Sequence, residues 1–333
     1  MIILFTVLIL LVILVNGWTD APNAIAGCVS TRALSPRAAL ALASVSNFAG
    51  AVGMAVINPR VAKTLFNIVD FGEDTEGALS ALCAGLCAVI IWAPVAGIFG
   101  LPTSESHALV SGITGAALAR RMSFDAINTK EWTMVLLGLL ATTLPPFLLG
   151  FAVNKLLNLL LKRLPRRNVM RYFLRAERIG AFSSALLHGA QDSQKFMGIY
   201  MLGLFLYNGS YTEDQPIPVY IVLICASVMT LGTMLGGARI IKKVGCEMTE
   251  LDAVGGSASD TASSAVLFLC SHLGIPASTT HSKACAIMGT GLCKKGSIDL
   301  RIVGQMLAAW CLTFPVCAAL GFLLSYLMTF CFN

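Results

Sequence analysis

Two acidic residues stand in polar stretches that interrupt apolar sequence. Asp20 lies in NGWTDAPN (16–23), after fifteen uncharged residues, fourteen of them apolar, that span about 22 Å as a helix, short of a bilayer core of about 30 Å. Asp192 lies in a second stretch, HGAQDSQK (188–195), which aligns with the first. A carboxylate at that depth costs about 2.5–3.5 kcal/mol on insertion scales and needs a partner. Because carboxylate and amide oxygens suit hard cations, we predict a cation site formed by Asp20, Asn23, Asp192 and Gln194, with the first three as the metal-ion ligands. The alternative is a helix kink in which these side chains only cap the two half-helices.

A second pair of motifs suits an anion. GLPTSESH (100–107) aligns with GIPASTTH (274–281), and in each a proline is followed by hydroxyl residues. This is a helix-start signature, and the free N–H groups and positive dipole end of a helix N-terminus attract anions. Ordinary N-caps at two loops would be the alternative. We predict that the substrate-binding residues are Thr103, Ser104, Ser106, Ser278, Thr279, Thr280 and the nearby Lys195.

Four further polar residues near these motifs have supporting roles in this interpretation. His107, His188 and His281 are expected to hold the motifs in shape by hydrogen bonding, and Asp260 is a candidate for lining the pathway. Glu105 has no acidic counterpart, because Thr279 stands at the aligned position.

The composition indicates an integral membrane protein. Of 333 residues, 56% are hydrophobic and only 12% are charged, about half the usual charged fraction of soluble domains. The apolar runs are near 20 residues long, which predicts helices rather than a β-barrel. The net charge of +6 is interpreted as an asymmetry between membrane faces, with no nucleic-acid partner expected.

The basic residues suggest an orientation. Eight of them fall between Lys155 and Arg178, which predicts that this segment lies in the cytoplasm. The protein is then expected to be a multi-pass protein of the cell (plasma or inner) membrane. Alternating outward from there puts both termini outside. The loop at 208–217, with Glu213 and Asp214, is then also external.

The aligned motifs predict two repeats of inverted topology in an all-α integral membrane protein. The first repeat is predicted to span 1–160, with a broken helix at 16–23 and a re-entrant hairpin at 78–119. The second is predicted to span 179–333, with a broken helix at 188–195 and a hairpin at 251–293, and a basic cytoplasmic loop at 161–178 joins them. Inverted repeats with broken helices are typical of secondary transporters.

The quoted motifs, in both halves and in order, resemble those of the inorganic phosphate transporter (PiT) family. The resemblance covers nearly the whole chain and implies a cation-coupled phosphate symporter, usually a homodimer. It also implies ion and substrate binding at Asp20, Asn23 and Asp192, and a phosphate site lined by the hydroxyls of the hairpin motifs. The chain departs from the usual pattern at Trp18, Thr19 and Pro22, which bears on the coupling ion.

We therefore expect a symporter that imports inorganic phosphate with sodium ions or protons by alternating access, with no enzymatic activity and no cofactor other than the coupling cation. A sulfate permease of the same fold is the first alternative. An intramembrane hydrolase with Asp20 and Asp192 as a carboxylate dyad is a remote alternative. A passive channel is a further alternative, which saturable, gradient-dependent uptake would exclude.

Overall fold

The chain is almost entirely helical. The computed structural model describes residues 1–72, 74–99, 101–209, 215–294 and 297–332. The described residues form thirteen α-helices: α1 (Ile2–Thr19), α2 (Pro22–Ser30), α3 (Pro36–Ile57), α4 (Arg60–Phe66), α5 (Thr75–Ile98), α6 (Glu105–Arg121), α7 (Thr129–Leu161), α8 (Arg166–Asn208), α9 (Val219–Leu235), α10 (Ala238–Lys242), α11 (Ala253–Leu273), α12 (Thr279–Gly291) and α13 (Leu300–Phe332). Glu213 and Asp214, on which the external position of the 208–217 loop was predicted, lie outside the described residues.

Five described segments are long and apolar enough to cross a membrane. They are α1 with α2, α3, α5, α7 and α13, and a sixth is added if α9 and the bent segment after it are counted as one span. Large apolar side chains on their outer surfaces are exposed, as with Leu140 and Leu144 on α7. The chain is therefore a multi-pass helical membrane protein, as its composition predicted.

The interruption predicted at 16–23 is present. Helix α1 ends at Thr19, Asp20 and Ala21 form a turn, and Pro22 occupies the first position of α2. Proline has no N–H to continue the helical ladder, so the ladder restarts there. The break is short, and the carbonyl oxygen of Asn16 still accepts from the N–H groups of Asp20 (2.8 Å) and Ala21 (3.4 Å).

The break predicted at 188–195 is wrong. Helix α8 runs without interruption over its 43 residues, about 65 Å. Gln194 stands where the first stretch has Pro22, so every backbone N–H of the second stretch is kept and the helix continues.

The loop predicted at 161–178 is also mostly helix. Only 162–165 connects α7 to α8, which begins at Arg166. Arginine is a good helix former, so a basic composition does not by itself exclude a helix.

The two predicted hairpins are pairs of packed helices, α5 with α6 and α11 with α12. Ion pairs from Arg120 to Asp74 and from Arg121 to Asp70 tie the end of α6 to the residues before α5. In the second pair, Lys294 Nζ lies 3.0 Å from Asp252 Oδ2, which ties the residues after α12 to the start of α11. Each pair therefore begins and ends at the same end of the molecule, as a hairpin requires.

The long first helices of the two hairpins run in opposite directions. Helix α5 starts shortly after α4 and ends at Ile98, whose carbonyl oxygen accepts from Arg239 of α10 at 2.6 Å. Helix α11 starts shortly after α10 and ends beside α4, where Asn58 Nδ2 donates to the carbonyl oxygen of His272 at 3.0 Å. An inverted repeat requires this antiparallel arrangement. The orientation of the two halves in a bilayer stays a prediction.

The aligned glycines of the two polar stretches lie at close helix contacts. A Cβ atom on Gly17 would lie 2.3 Å from the carbonyl oxygen of Met229 on α9. A Cβ atom on Gly189 would lie 2.2 Å from the carbonyl oxygen of Asn47 on α3. Only glycine allows backbones to approach this closely, so α1 packs on α9 as α8 packs on α3.

Candidate functional site

The break between α1 and α2 places Asp20 and Asn23 beside the second hairpin. Asn23 Nδ2 donates to Asp20 Oδ1 at 3.1 Å and to Thr280 Oγ1 at 3.3 Å. The Thr280 hydroxyl also donates to Asp20 Oδ1. All three side chains are almost fully buried. A carboxylate, an amide and a hydroxyl thus converge, and Thr280, which was predicted to bind the substrate, contacts a predicted cation ligand.

Asp192 is held on the continuous helix α8 by donors from three directions. Lys195 Nζ lies 2.6 Å from Asp192 Oδ1. Asp192 Oδ2 accepts from Asn16 Nδ2 and from Thr279 Oγ1, each at 3.3 Å, and His188 Nε2 is also 3.3 Å away. Asp192 therefore joins α1, α8 and the tip of the second hairpin.

The two acids lie close together. One ligand atom from each of Asp20, His188 and Asp192 falls within 4.8 Å of the others, and all three residues are buried. This spacing allows a single cation to be shared among them. The ring of His188 is oriented by Asn47, whose Oδ1 lies 3.1 Å from Nδ1.

Lys195 bridges the tips of both hairpins. Its ammonium donates to Ser106 Oγ at 2.6 Å and to the carbonyl oxygen of Ala277. The side chain is 1% exposed. A positive charge is thus placed between the N-termini of α6 and α12, where an anion would meet two helix dipoles.

The hairpin-tip hydroxyls divide into two groups. Ser104 and Ser278 are N-caps, whose Oγ atoms accept from the N–H groups of His107 (3.4 Å) and His281 (3.2 Å). Ser106, Thr279 and Thr280 instead contact Lys195, Asp192 and Asp20. Thr103 is buried just before the first cap. The capping alternative therefore describes Ser104 and Ser278, whereas the other three hydroxyls contact the two acids and the lysine beside them.

The two tips meet through their histidines. The ring centroids of His107 and His281 are 4.8 Å apart at an angle of 63°. His107 also stacks on Phe314 at 4.6 Å, and His281 lies 3.9 Å from Trp310. Trp310 Nε1 in turn donates to the carbonyl oxygen of Pro102 at 2.7 Å. Helix α13 thus supports both tips from one side through ring contacts. The hydrogen bonds predicted for these histidines are not formed by His107 Nδ1 or by either ring nitrogen of His281, which have no hydrogen-bond partner among the described residues.

Three site residues were not predicted. Glu105, at the first position of α6, accepts from the Thr19 hydroxyl, and its Oε2 has no hydrogen-bond partner among the described residues. Asn16 binds Asp192 through Nδ2, while its Oδ1 has no such partner. Gln191 Oε1 accepts from the N–H of Ala277 at 3.3 Å. The sequence signal for Glu105 was an acid within an apolar segment, and the signal for Asn16 was the first polar residue after the N-terminal apolar run.

Gln194 is not brought to the acids by any hydrogen bond. It is fully buried on α8, and neither amide atom has a hydrogen-bond partner among the described residues. On a helix, residues two apart face different directions, so Gln194 and Asp192 cannot share a ligand. Its role as a cation ligand stays a prediction without support from the geometry.

Asp260 belongs to a separate polar cluster. Its carboxylate pairs with Lys283 of α12 and accepts from the Ser184 hydroxyl at 3.1 Å. No described contact joins Asp260 to Asp20 or Asp192. Its predicted place along the pathway stays a prediction.

The geometry defines a helical membrane protein with a buried polar centre where two acids, one ammonium and two helix N-termini converge. Asn16 Oδ1, Asn23 Oδ1 and Glu105 Oε2 are buried acceptors without a partner among the described residues. Such acceptors are suited to a small cation. The helix N-termini and Lys195 are suited to an anion.

Comparisons with known proteins identify the family. The family model of the phosphate transporter family matches residues 16–176 and 162–321. The chain is 33% identical over 319 residues to a probable low-affinity inorganic phosphate transporter of Bacillus subtilis, covering 96% of this chain and 94% of that protein. It is 34% identical over 312 residues to a Rhizobium meliloti protein of the same name, with coverage of 92% and 90%. A solved structure described as the sodium-dependent phosphate transporter has the same fold, with a TM-score of 0.82, 21% identity and 98% coverage of both chains.

The chain belongs to the phosphate transporter family. This family transports rather than catalyses, which confirms the prediction that the protein is not an enzyme and removes the intramembrane hydrolase alternative.

Proposed function

We propose that the protein is a symporter that couples import of inorganic phosphate to a monovalent cation. The observation that carries this proposal is the convergence of Asp20 and Asp192 with the N-termini of α6 and α12 in one buried site. The acids bind the cation together with Asn23, and the helix ends bind the anion. The names of the relatives support phosphate as the anion, and the name of the solved structure supports sodium as the cation.

The charge balance of the site supports obligatory coupling. Asp20, Glu105 and Asp192 contribute three carboxyl groups, and Lys195 contributes one ammonium. The site therefore has two more acidic groups than basic ones and would repel a phosphate anion on its own. Sodium ions or protons reduce this excess, so binding of the cation and binding of the anion favour each other. Each accompanying cation also offsets about 2.3 kcal/mol per charge for every 100 mV of membrane potential.

The acceptors near the first tip support phosphate over the sulfate alternative. At neutral pH phosphate keeps a proton to donate, whereas sulfate has none. Glu105, at the start of α6, has an oxygen without a partner among the described residues, and it can accept that proton in a hydrogen bond. A buried acceptor left unpaired discriminates against the anion that cannot donate.

Transport by this site requires access from both sides in turn. In our proposal the two halves rock around the site, because the hairpin tips that form it are joined to opposite ends of the molecule. The basic segment around 162–178 lies on the cytoplasmic side of the cell membrane. Alternating the spans outward from this segment places both termini outside. A homodimer remains part of the proposal and is tested by cross-linking in membranes.

The test is phosphate uptake into proteoliposomes with independently imposed sodium and proton gradients. The full chain is expected to concentrate labelled phosphate only when one of these gradients is present. Asp20→Asn is expected to abolish the dependence on that gradient, because it removes a charged ligand from the buried site. Asp125→Asn, at an exposed position, is the matched control and is expected to transport like the unaltered chain.

Three outcomes would contradict the proposal. Uptake by the unaltered chain that is indifferent to both gradients would indicate a passive channel. Unchanged gradient-dependent uptake by Asp20→Asn would remove Asp20 from the mechanism. Competition by sulfate as strong as by phosphate would favour the sulfate alternative.

A further inference from the structure

The polar site consists of two half-sites that correspond through the internal alignment. The first half-site is Asp20, Asn23 and Thr280, and the second is Asp192, Lys195 and Ser106. Asp20 aligns with Asp192 and Asn23 with Lys195 in the two polar stretches. Thr280 aligns with Ser106 in the two hairpin motifs.

The corresponding residues make corresponding contacts. In the first half-site, the Asn23 amide donates to Asp20 Oδ1 at 3.1 Å and to the Thr280 hydroxyl at 3.3 Å. In the second, the Lys195 ammonium donates to Asp192 Oδ1 and to the Ser106 hydroxyl, both at 2.6 Å. Each half-site therefore joins an acid on one repeat to a hydroxyl on the hairpin tip of the other.

The half-sites differ in what they offer a cation. Asn23 is neutral, and its Oδ1 has no hydrogen-bond partner among the described residues, so it is available as a ligand. Lys195 has no acceptor atom and carries the positive charge itself. Its nitrogen is surrounded by the Asp192 carboxylate, the Ser106 hydroxyl and the Ala277 carbonyl, the types of oxygen that coordinate a hard monovalent cation.

We propose that Lys195 is a tethered cation that permanently occupies the second half-site in place of an exchangeable ion. Only the first half-site then takes up a coupling cation. The inference rests on the proposed function, and it deepens that function by assigning one fewer cation per phosphate than a chain with a neutral side chain at position 195. Lys195 is almost fully buried and contacts both tips, so its charge is also available to an anion bound between them.

The alternative is that Lys195 serves only as a ligand of the anion. Replacing it would then weaken phosphate binding and leave the number of bound cations unchanged. The tethered-cation proposal instead predicts that a neutral amide at 195 restores a cation site. The two readings differ in the cation count, whatever happens to phosphate affinity.

The test is the number of sodium ions bound per chain, measured with radioactive sodium on the purified full chain in detergent at saturating phosphate. Lys195→Asn copies the residue of the first half-site and is expected to bind one sodium ion more than the unaltered chain. Asn23→Lys makes the reverse change and is expected to bind no sodium. Lys162→Asn, at an exposed position between α7 and α8, is the matched control and is expected to bind as the unaltered chain does.

Equal sodium counts for folded Lys195→Asn and the unaltered chain would overturn the proposal. If Lys195→Asn does not fold, the unaltered chain decides: one bound sodium ion supports the proposal, and none, or two or more, overturns it. Phosphate uptake by the unaltered chain is measured in parallel. Absence of cation-dependent uptake refutes the proposed function, whereas normal uptake with equal counts refutes only the tethered cation.

Discussion

The buried ion pair of Asp260 and Lys283 gives a sharp energetic prediction. The two side chains join α11 to α12 and are 1% and 2% exposed, and Ser184 of α8 donates to Asp260 Oδ1 at 3.1 Å. The pair therefore ties the second hairpin to the helix that carries Asp192. Removing one partner leaves the other charge buried without compensation, at a cost of about 3–5 kcal/mol.

The size of the effect follows from the length of the chain. With about 2.1 cal/mol/K of unfolding entropy per residue, a loss of 3–5 kcal/mol in 333 residues lowers the melting temperature by about 4–7 °C. We expect this shift for Lys283→Met and for Asp260→Asn. The double variant is expected to unfold within about 2 °C of the unaltered chain, because neither charge remains and the Ser184 hydroxyl can still donate to the amide.

The assay is thermal unfolding of purified variants in detergent, followed by intrinsic fluorescence. Lys162→Met, at an exposed position, serves as the control for loss of a lysine and is expected to change the melting temperature by less than about 1 °C. The reasoning would be refuted if both single variants melted with the unaltered chain. It would also be refuted if the double variant lost the sum of the two single effects, since the two charges would then be independent.

Two further predictions concern packing and capping. Gly50→Ala is expected to destabilise the protein by about 1–3 kcal/mol in the same melting assay, because its Cβ would lie 1.8 Å from the carbonyl oxygen of Leu186. In the control Gly53→Ala, on the same helix, the new Cβ meets nothing within 4 Å and should stabilise the protein by about 0.5–1 kcal/mol. Equal effects of the two substitutions would contradict the close α3–α8 contact. Burial acts to raise the pKa of Asp252, but the Gly255 N–H (2.9 Å) and Lys294 lower the pKa below its usual value. Its capping contribution is therefore present above about pH 4 and lost as the pH falls through the lower folded pKa. Asp252→Ala should cost about 1 kcal/mol of stability at pH 7. Melting curves taken across pH test this: a cost that persisted at a pH below the folded pKa of Asp252 would refute its role as a charged cap.

The sequence predicted the site better than the local backbone around it. Asp20 and Asp192 were identified because an acid within apolar sequence is expensive, and both acids are found at the buried centre. The second helix break was wrongly predicted because the alignment weighed the shared acid and glycine and ignored the different residues at 22 and 194. Pro22 ends a helical ladder that Gln194 continues.

The choice among neighbouring polar residues depended on helix geometry that the alignment did not use. Lys195 lies three residues from Asp192 and shares its face of α8, whereas Gln194 lies two residues away and does not. Glu105 and Asn16 were missed because neither has a like residue at the aligned position, where Thr279 and His188 stand. A search based on internal similarity finds the paired residues of a site and overlooks the unpaired ones.

The positions at which the two halves of the site differ nevertheless balance in charge. Compared with a symmetric pair of half-sites, the first hairpin tip has gained an acid at Glu105, where the second has Thr279. The second half-site has gained an ammonium at Lys195, where the first has Asn23. These two departures have opposite formal charge, and Lys195 contacts Ser106, the residue next to Glu105. The duplicated frame thus keeps the total charge of the buried site while making its halves unequal, and a site with unequal halves can hold a tethered cation in one and exchange a free cation in the other.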